Sequence, residues 1–122
     1  MNKVKIIECP RDAMQGIKSH FISTDAKARY INSLLKVGFD TIDFGSFVSP
    51  KAIPQMRDTA AVLSKLDLSQ TQSKLLAISA NTRGANDAIQ FEEINYLGYP
   101  FSISENFQMR NTHKTIQQSI KE

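Results

Sequence analysis

Short apolar runs of strand length alternate along this chain with stretches at helical spacing, and no hairpin signal joins one run directly to the next. The runs fall at 4–8, 41–44 and 74–78, each followed by a polar loop. That order argues for a parallel sheet, because parallel neighbours need a crossover rather than a tight turn. Right-handed crossovers place successive strands side by side, so the loops that follow them gather at one end of the sheet. Two closed solutions compete, an open doubly wound sheet and a (β/α) barrel. No Gly-x-Gly-x-x-Gly or Gly-x4-Gly-Lys-Ser/Thr string follows any strand, which removes the main support for the nucleotide-binding versions of the open sheet. A complete eight-stranded barrel takes about 250 residues. The 122 residues here are expected to be α/β, with parallel (β/α) units forming about half of a TIM barrel, a single domain spanning 1–122.

The local signals are uneven in strength. The first run is read as a buried strand stopped by Pro10, with an irregular loop over 11–23. A helix over 24–37 follows: Thr24 suits its cap, Asp25 its positive end, and Gly38 the left-handed residue after its finish. Ala28, Ile31, Leu34 and Leu35 give it one apolar face. A second helix is expected over 53–66 with Met56 in the core, Pro50 and Pro54 being tolerable only near its start. After a polar connection at 67–73 and the strand at 74–78, a third helix is expected over 85–91 with Ala88 and Ile89 inward. A fourth strand is placed at 96–102, although Pro100 lacks the amide of a central strand. Thr112 is expected to cap a last helix carrying Ile116 and Ile120.

Chemistry-bearing side chains follow the strands. Cys9-Pro10-Arg11-Asp12-Ala13-Met14-Gln15 puts an arginine, a carboxylate and an amide at the end of the first, and Asp43 with Ser46 stands at the end of the second. Consecutive parallel strands ending in acidic groups bring those groups to one face, where a metal could be held. A salt-bridged turn is the plainer alternative for the first block.

Composition narrows the classes. Fifteen basic and twelve acidic residues give a net charge of +3, but the positives are scattered, so no nucleic-acid partner is expected. The balance is that of an ordinary soluble protein, and no membrane partner is expected either. One cysteine excludes an internal disulfide framework; Cys9 is read as a reduced, partly buried thiol rather than a nucleophile. With the first strand starting almost at Met1, no secretory signal is visible, and a cytoplasmic location is expected.

Ser46-Phe47-Val48-Ser49-Pro50-Lys51, followed by Pro54-Gln55-Met56, is too long and irregular to arise from helix or strand patterning. This string resembles that of the hydroxymethylglutaryl-CoA lyases, members of the metal-dependent aldol and Claisen-type barrel enzymes that include homocitrate and isopropylmalate synthases. Pro10-Arg11-Asp12 with Gln15 is similar to that family's first-strand motif, Asn81 with Gly84 to its third-strand loop, and Ser104-Glu105, Phe107 and Asn111 to its fourth. The resemblance runs through the entire chain in the family's order and corresponds to the first four strands of its barrel.

The resemblance implies cleavage of 3-hydroxy-3-methylglutaryl-CoA into acetyl-CoA and acetoacetate, an acyl-CoA partner, and a divalent cation, Mg2+ or Mn2+, acting as Lewis acid and template. By it, Asp12 is the metal ligand and Arg11 stabilises the developing enolate oxygen. Asp43 supports Arg11 where the family typically has a glutamate, one methylene longer. Gln15, Ser46 and Ser104 would line the substrate pocket together with Arg11. Departures are equally specific. Cys9 replaces a glycine, Ala13-Met14 stands where Gly-Leu is usual, and the His-x-His pair, the later cysteine loop and the later asparagine ligand are absent. His20 and His113 lie ninety-three positions apart and match no ligand position. Taken alone, the chain is expected to bind metal feebly and to be inactive, with catalysis in the complete protein. The competing reading is a non-catalytic half-barrel module for binding or assembly, a homo-oligomer paired through open sheet edges.

Overall fold

The computed structural model describes residues 2–122 and contains one four-stranded parallel sheet. Its strands are β1 (Ile7–Glu8), β2 (Thr41–Ser46), β3 (Lys74–Ile78) and β4 (Tyr96–Gly98), hydrogen-bonded in the order β1-β2-β3-β4. Sequential order without a reversal is that of consecutive barrel units, not of a doubly wound sheet with its switch point. The helices are α1 (Pro10–Gln15), α2 (Thr24–Leu35), α3 (Thr59–Leu63), α4 (Thr82–Ala88), α5 (Glu105–Thr112) and α6 (Ile116–Lys121), with a 3-10 turn at Pro54–Met56. Among the described residues, no helix is long and apolar enough to cross a membrane.

One face of the sheet carries the core. Ile42 and Phe44 of β2 and Leu75 and Ala77 of β3 pack against Ala28, Ile31 and Leu35 of α2 and Val62 and Leu63 of α3. Met56 is also buried, as expected. Gly38, just past α2, has φ +97°, the left-handed conformation that its position after the helix calls for.

Several boundaries differ from expectation, each for a local reason. β1 is two residues long, and Val4, Ile6 and Ile7 are exposed rather than buried, because the strand has only β2 beside it. Residues 10–15 are helical, not irregular: Pro10 occupies the first turn, where its missing amide costs nothing. The cap of α2 is Ser23, whose hydroxyl accepts from Ala26 N, while the Thr24 hydroxyl donates to Asp58. The expected helix over 53–66 is broken into the 3-10 turn and α3. α4 starts at Thr82, so Ala88 is buried but Ile89 is exposed. β4 stops before Pro100, which resolves the conflict with its missing amide. Thr112 ends α5 instead of opening α6, whose cap is Thr115 in a reciprocal bond pair with Gln118. His113 adopts a left-handed turn at φ 57° just past α5.

The β2–β3 register shifts between Asp43 and Gly45. Ile42 pairs with Leu75, Asp43 with Leu76, Gly45 with Ala77 and Ser46 with Ile78. Gly45 therefore faces the helices, where a Cβ would run into the methyl of Thr59. Thr59 is buried and its Oγ1 accepts from Ser46 N at 3.0 Å. Gly45→Ala should destabilise the fold by about 1–3 kcal/mol through overpacking. Urea unfolding checks this, and Gly45→Ala combined with Thr59→Ser should recover part of the loss.

Candidate active site

At the carboxyl ends of the strands, α1 turns straight off β1 and swings Arg11 over β2. The Arg11 guanidinium donates from Nε to both oxygens of Asp43, at 3.1 Å each, and from Nη2 to Asp43 Oδ2 at 2.5 Å. Nη1 donates to Gln15 Oε1 at 3.0 Å and to Asp12 Oδ1 at 3.3 Å, and Gln15 Nε2 donates to Asp12 Oδ1 at 3.0 Å. Gln15 follows Arg11 by four residues and Asp12 by three on α1, so it meets both. The aspartate at position 43 thus reaches the arginine despite its short side chain.

Exposure separates the two carboxylates. The Asp43 side chain is 6% exposed and faces Arg11 at 14%, whereas that of Asp12 is 65% exposed. Burial works against the Arg11 charge, but the hydrogen-bonded Asp43 carboxylate outweighs it and raises the pKa above its ordinary value. The guanidinium is a fixed cation. Four of its five N–H groups point at Asp43, Asp12 and Gln15, leaving one on Nη2 for a further acceptor.

Arg11, Asp12 and Gln15 line a cleft of about 340 Å³, walled by Val48 after β2, Ile78 of β3, and Phe107 and Asn111 of α5. Loops at this end of a parallel barrel are where catalytic groups are carried. Ser46 and Ser104 are not on this cleft. Ser46 is buried on the Ile78 side of β2, with its hydroxyl accepting from Val48 N at 3.2 Å, so it shapes the loop that presents Val48. Ser104 caps α5, its hydroxyl accepting from Phe107 N at 3.4 Å. Asn81 likewise caps α4 through Gly84 N, and a Cβ on Gly84 would meet the Phe47 carbonyl oxygen at 2.6 Å. These motif residues build the loops. Val48 and Phe107, which sequence reasoning left without a role, form the apolar part of the wall; their only signal was membership of the motif strings.

Cys9 is exposed, correcting the expectation of a partly buried thiol. Desolvation at the sulfur, and then the Asp43 carboxylate, raise its pKa. Less thiolate is present at a given pH, so alkylation by iodoacetamide at pH 8 should run slower than for an unperturbed cysteine. A rate equal to or above that of a model thiol would contradict this electrostatic picture.

The donor set does not fit a resident metal ion. Among the described residues, no group of three or more His, Cys, Asp or Glu side chains could hold one. Asp12 alone offers an exposed carboxylate at the cleft, and one oxygen donor does not satisfy Mg2+ or Mn2+. His20 hydrogen-bonds with Ser19 Oγ at 3.0 Å, and His113 ends α5 in a left-handed conformation.

No protein-family profile matches the chain. It is 33% identical over 122 residues to mouse mitochondrial hydroxymethylglutaryl-CoA lyase, covering 98% of this chain and 36% of the relative. Among solved structures, the lyase from Bacillus subtilis superposes with a TM-score of 0.88 at 33% identity, over 98% of this chain and 39% of the other. One from Acinetobacter baumannii, solved with coenzyme A and 3-methylmalate, superposes with a TM-score of 0.87 at 34% identity, over 96% of this chain and 38% of the other. The chain therefore spans well under half the length of the relatives it matches, and its fold is that of a partial barrel. Relatives carry both mitochondrial and cytoplasmic names.

Proposed function

We infer that this chain, related over nearly its whole length to the amino-terminal part of the hydroxymethylglutaryl-CoA lyases, supplies the arginine–carboxylate wall of a carbon–carbon lyase site. The reaction proposed is cleavage of 3-hydroxy-3-methylglutaryl-CoA to acetyl-CoA and acetoacetate in a complete barrel. The observation that carries it is Arg11, fixed by Asp43 at 2.5–3.1 Å and opening on a cleft at the carboxyl ends of the strands.

A base from outside these residues takes the tertiary hydroxyl proton, and the carbon–oxygen double bond of acetoacetate forms as the carbon–carbon bond breaks. The released electron pair enters the thioester, whose oxygen gains charge as an enolate until protonation at carbon gives acetyl-CoA. A cation already oriented at that oxygen lowers the barrier without reorganising. Arg11 is such a cation, and the Nη2 N–H left over from its contacts with Asp43, Asp12 and Gln15 is the donor assigned to the oxygen. Asp43 is a positioning residue, holding the fork in one orientation. Gln15 is assigned to the acyl chain or thioester. Asp12 is proposed to contribute one ligand to a divalent cation whose other ligands come from outside these residues. The proposed compartment is the cytoplasm.

The test uses a chimera in which this chain replaces the matching part of the Bacillus subtilis lyase, checked for folding by circular dichroism. With the CoA ester and magnesium, the folded chimera should release acetoacetate, and the isolated 122-residue chain should not. A folded chimera without turnover would overturn the reading and favour the non-catalytic module.

A further inference from the structure

Among the described residues both edges of the sheet are open: β1 is bonded only to β2, and β4 only to β3. Large apolar side chains stand exposed along each edge: Val4, Ile6 and Ile7 at the first, and Tyr96, Leu97 and Phe101 at the second. An edge of this kind is a template for pairing with another chain. Four parallel strands are half the number that closes a barrel filled by its own side chains.

The charges beside the two edges are opposite in sign. Lys3 and Lys5 are exposed just before β1, and Glu92 and Glu93 are exposed just before β4. None of the four forms a salt bridge among the described residues. If β1 of one molecule lies parallel to β4 of another, the lysines preceding one strand come alongside the glutamates preceding the other.

We propose that the isolated chain pairs with a second copy of itself into a closed eight-stranded barrel, with β1 of each copy seated on β4 of its partner. Two different edges meet at each seam, and a twofold axis makes the two seams identical, so assembly stops at the dimer. Each seam places Lys3 and Lys5 against Glu92 and Glu93. The proposal rests on the edges and not on the catalytic reading. The same seams would accept the complementary part of a lyase barrel, with which self-pairing competes, so mass and turnover are read separately.

Light scattering coupled to size exclusion, across micromolar concentrations, should give twice the 13.7 kDa chain mass. Reversing one set of charges, as K3E/K5E or as E92K/E93K, should weaken the dimer at least about tenfold, because like charges then face each other across both seams. Mixing the two variants should restore a tight heterodimer, since each seam again joins opposite charges. A monomer at every concentration, an open-ended polymer, or a dimer indifferent to both reversals would each overturn the proposal. Circular dichroism of each variant separates a lost seam from a lost fold: an unfolded variant that still forms the heterodimer on mixing supports the seam, and one that does not counts against it.

Discussion

Arg11→Ala in the folded chimera is expected to lower acetoacetate release by about two to three powers of ten, the usual cost of removing a preoriented donor at a developing oxyanion. The loss should fall mainly on kcat, because the charge it answers exists mainly in the transition state. Arg11→Lys should recover little. An ammonium lacks the planar fork that grips both Asp43 oxygens at 3.1 Å while donating to Gln15 and Asp12. Asp43→Asn should produce a smaller loss, since the side chain keeps its size but weakens its hold on the guanidinium. Steady-state kinetics on the three variants check the order, and a full-rate Arg11→Ala enzyme would remove Arg11 from the chemistry.

The second large effect is on stability. Lys27 lies on the inward side of α2 at 2% exposure, with Nζ donating to the Gln55 carbonyl and to Asp58 Oδ1, the latter at 2.6 Å. It also sits 4.1 Å over the Phe21 ring. Asp58 Oδ2 accepts from the Thr24 hydroxyl at 2.7 Å, so one carboxylate holds both of these α2 side chains. Asp58→Ala would leave a buried ammonium without its counter-charge, and should destabilise the fold by about 3–5 kcal/mol in urea unfolding. Adding Lys27→Met should recover most of that loss, because the apolar replacement removes the uncompensated charge. If the double variant is as unstable as the single, packing rather than charge is responsible.

The same lysine shows where the sequence is opaque. An amphipathic helix was legible over 24–37 from Ala28, Ile31 and Leu35, all buried; the same spacing puts position 27 on that face, four residues before Ile31, but a lysine there reads as the solvated edge of the stripe, so its burial was not legible. Its partners lie 28 and 31 positions away, a tertiary fact. The strand at 74–78 was legible to the residue, since a compact apolar run between polar segments has one good solution. α5 was not legible, because its buried residue is Gln108 while Phe107 and Met109 are exposed. Gln108 is held by Thr112, Ser119 and the Ser102 amide. Polar burial of that kind leaves no hydrophobic period to find.

At the site, residue types were legible and grouping was not complete. Arg11, Asp12, Gln15 and Asp43 form one hydrogen-bonded set because a single residue, Cys9, separates α1 from β1. Ser46 and Ser104 were grouped with them through the family resemblance of their motif strings. Whether a hydroxyl at a loop's start meets ligand or backbone depends on turn geometry, and here both accept backbone N–H groups.

The irregularity in β2 has one more consequence. Paired residues of neighbouring strands share a face, so the shift after Asp43 puts Phe44 and Gly45 in succession on the helix side. Inside-outside parity is inverted from that point onward. Were both residues kept but paired without the shift, Gly45 would turn away from the helices and Ser46 toward them, re-aiming the loop that presents Val48. Deleting either one would instead restore strict alternation with Ser46 still beside Ile78, so the shift in this short strand is as consequential for the cleft as the identity of any residue in it.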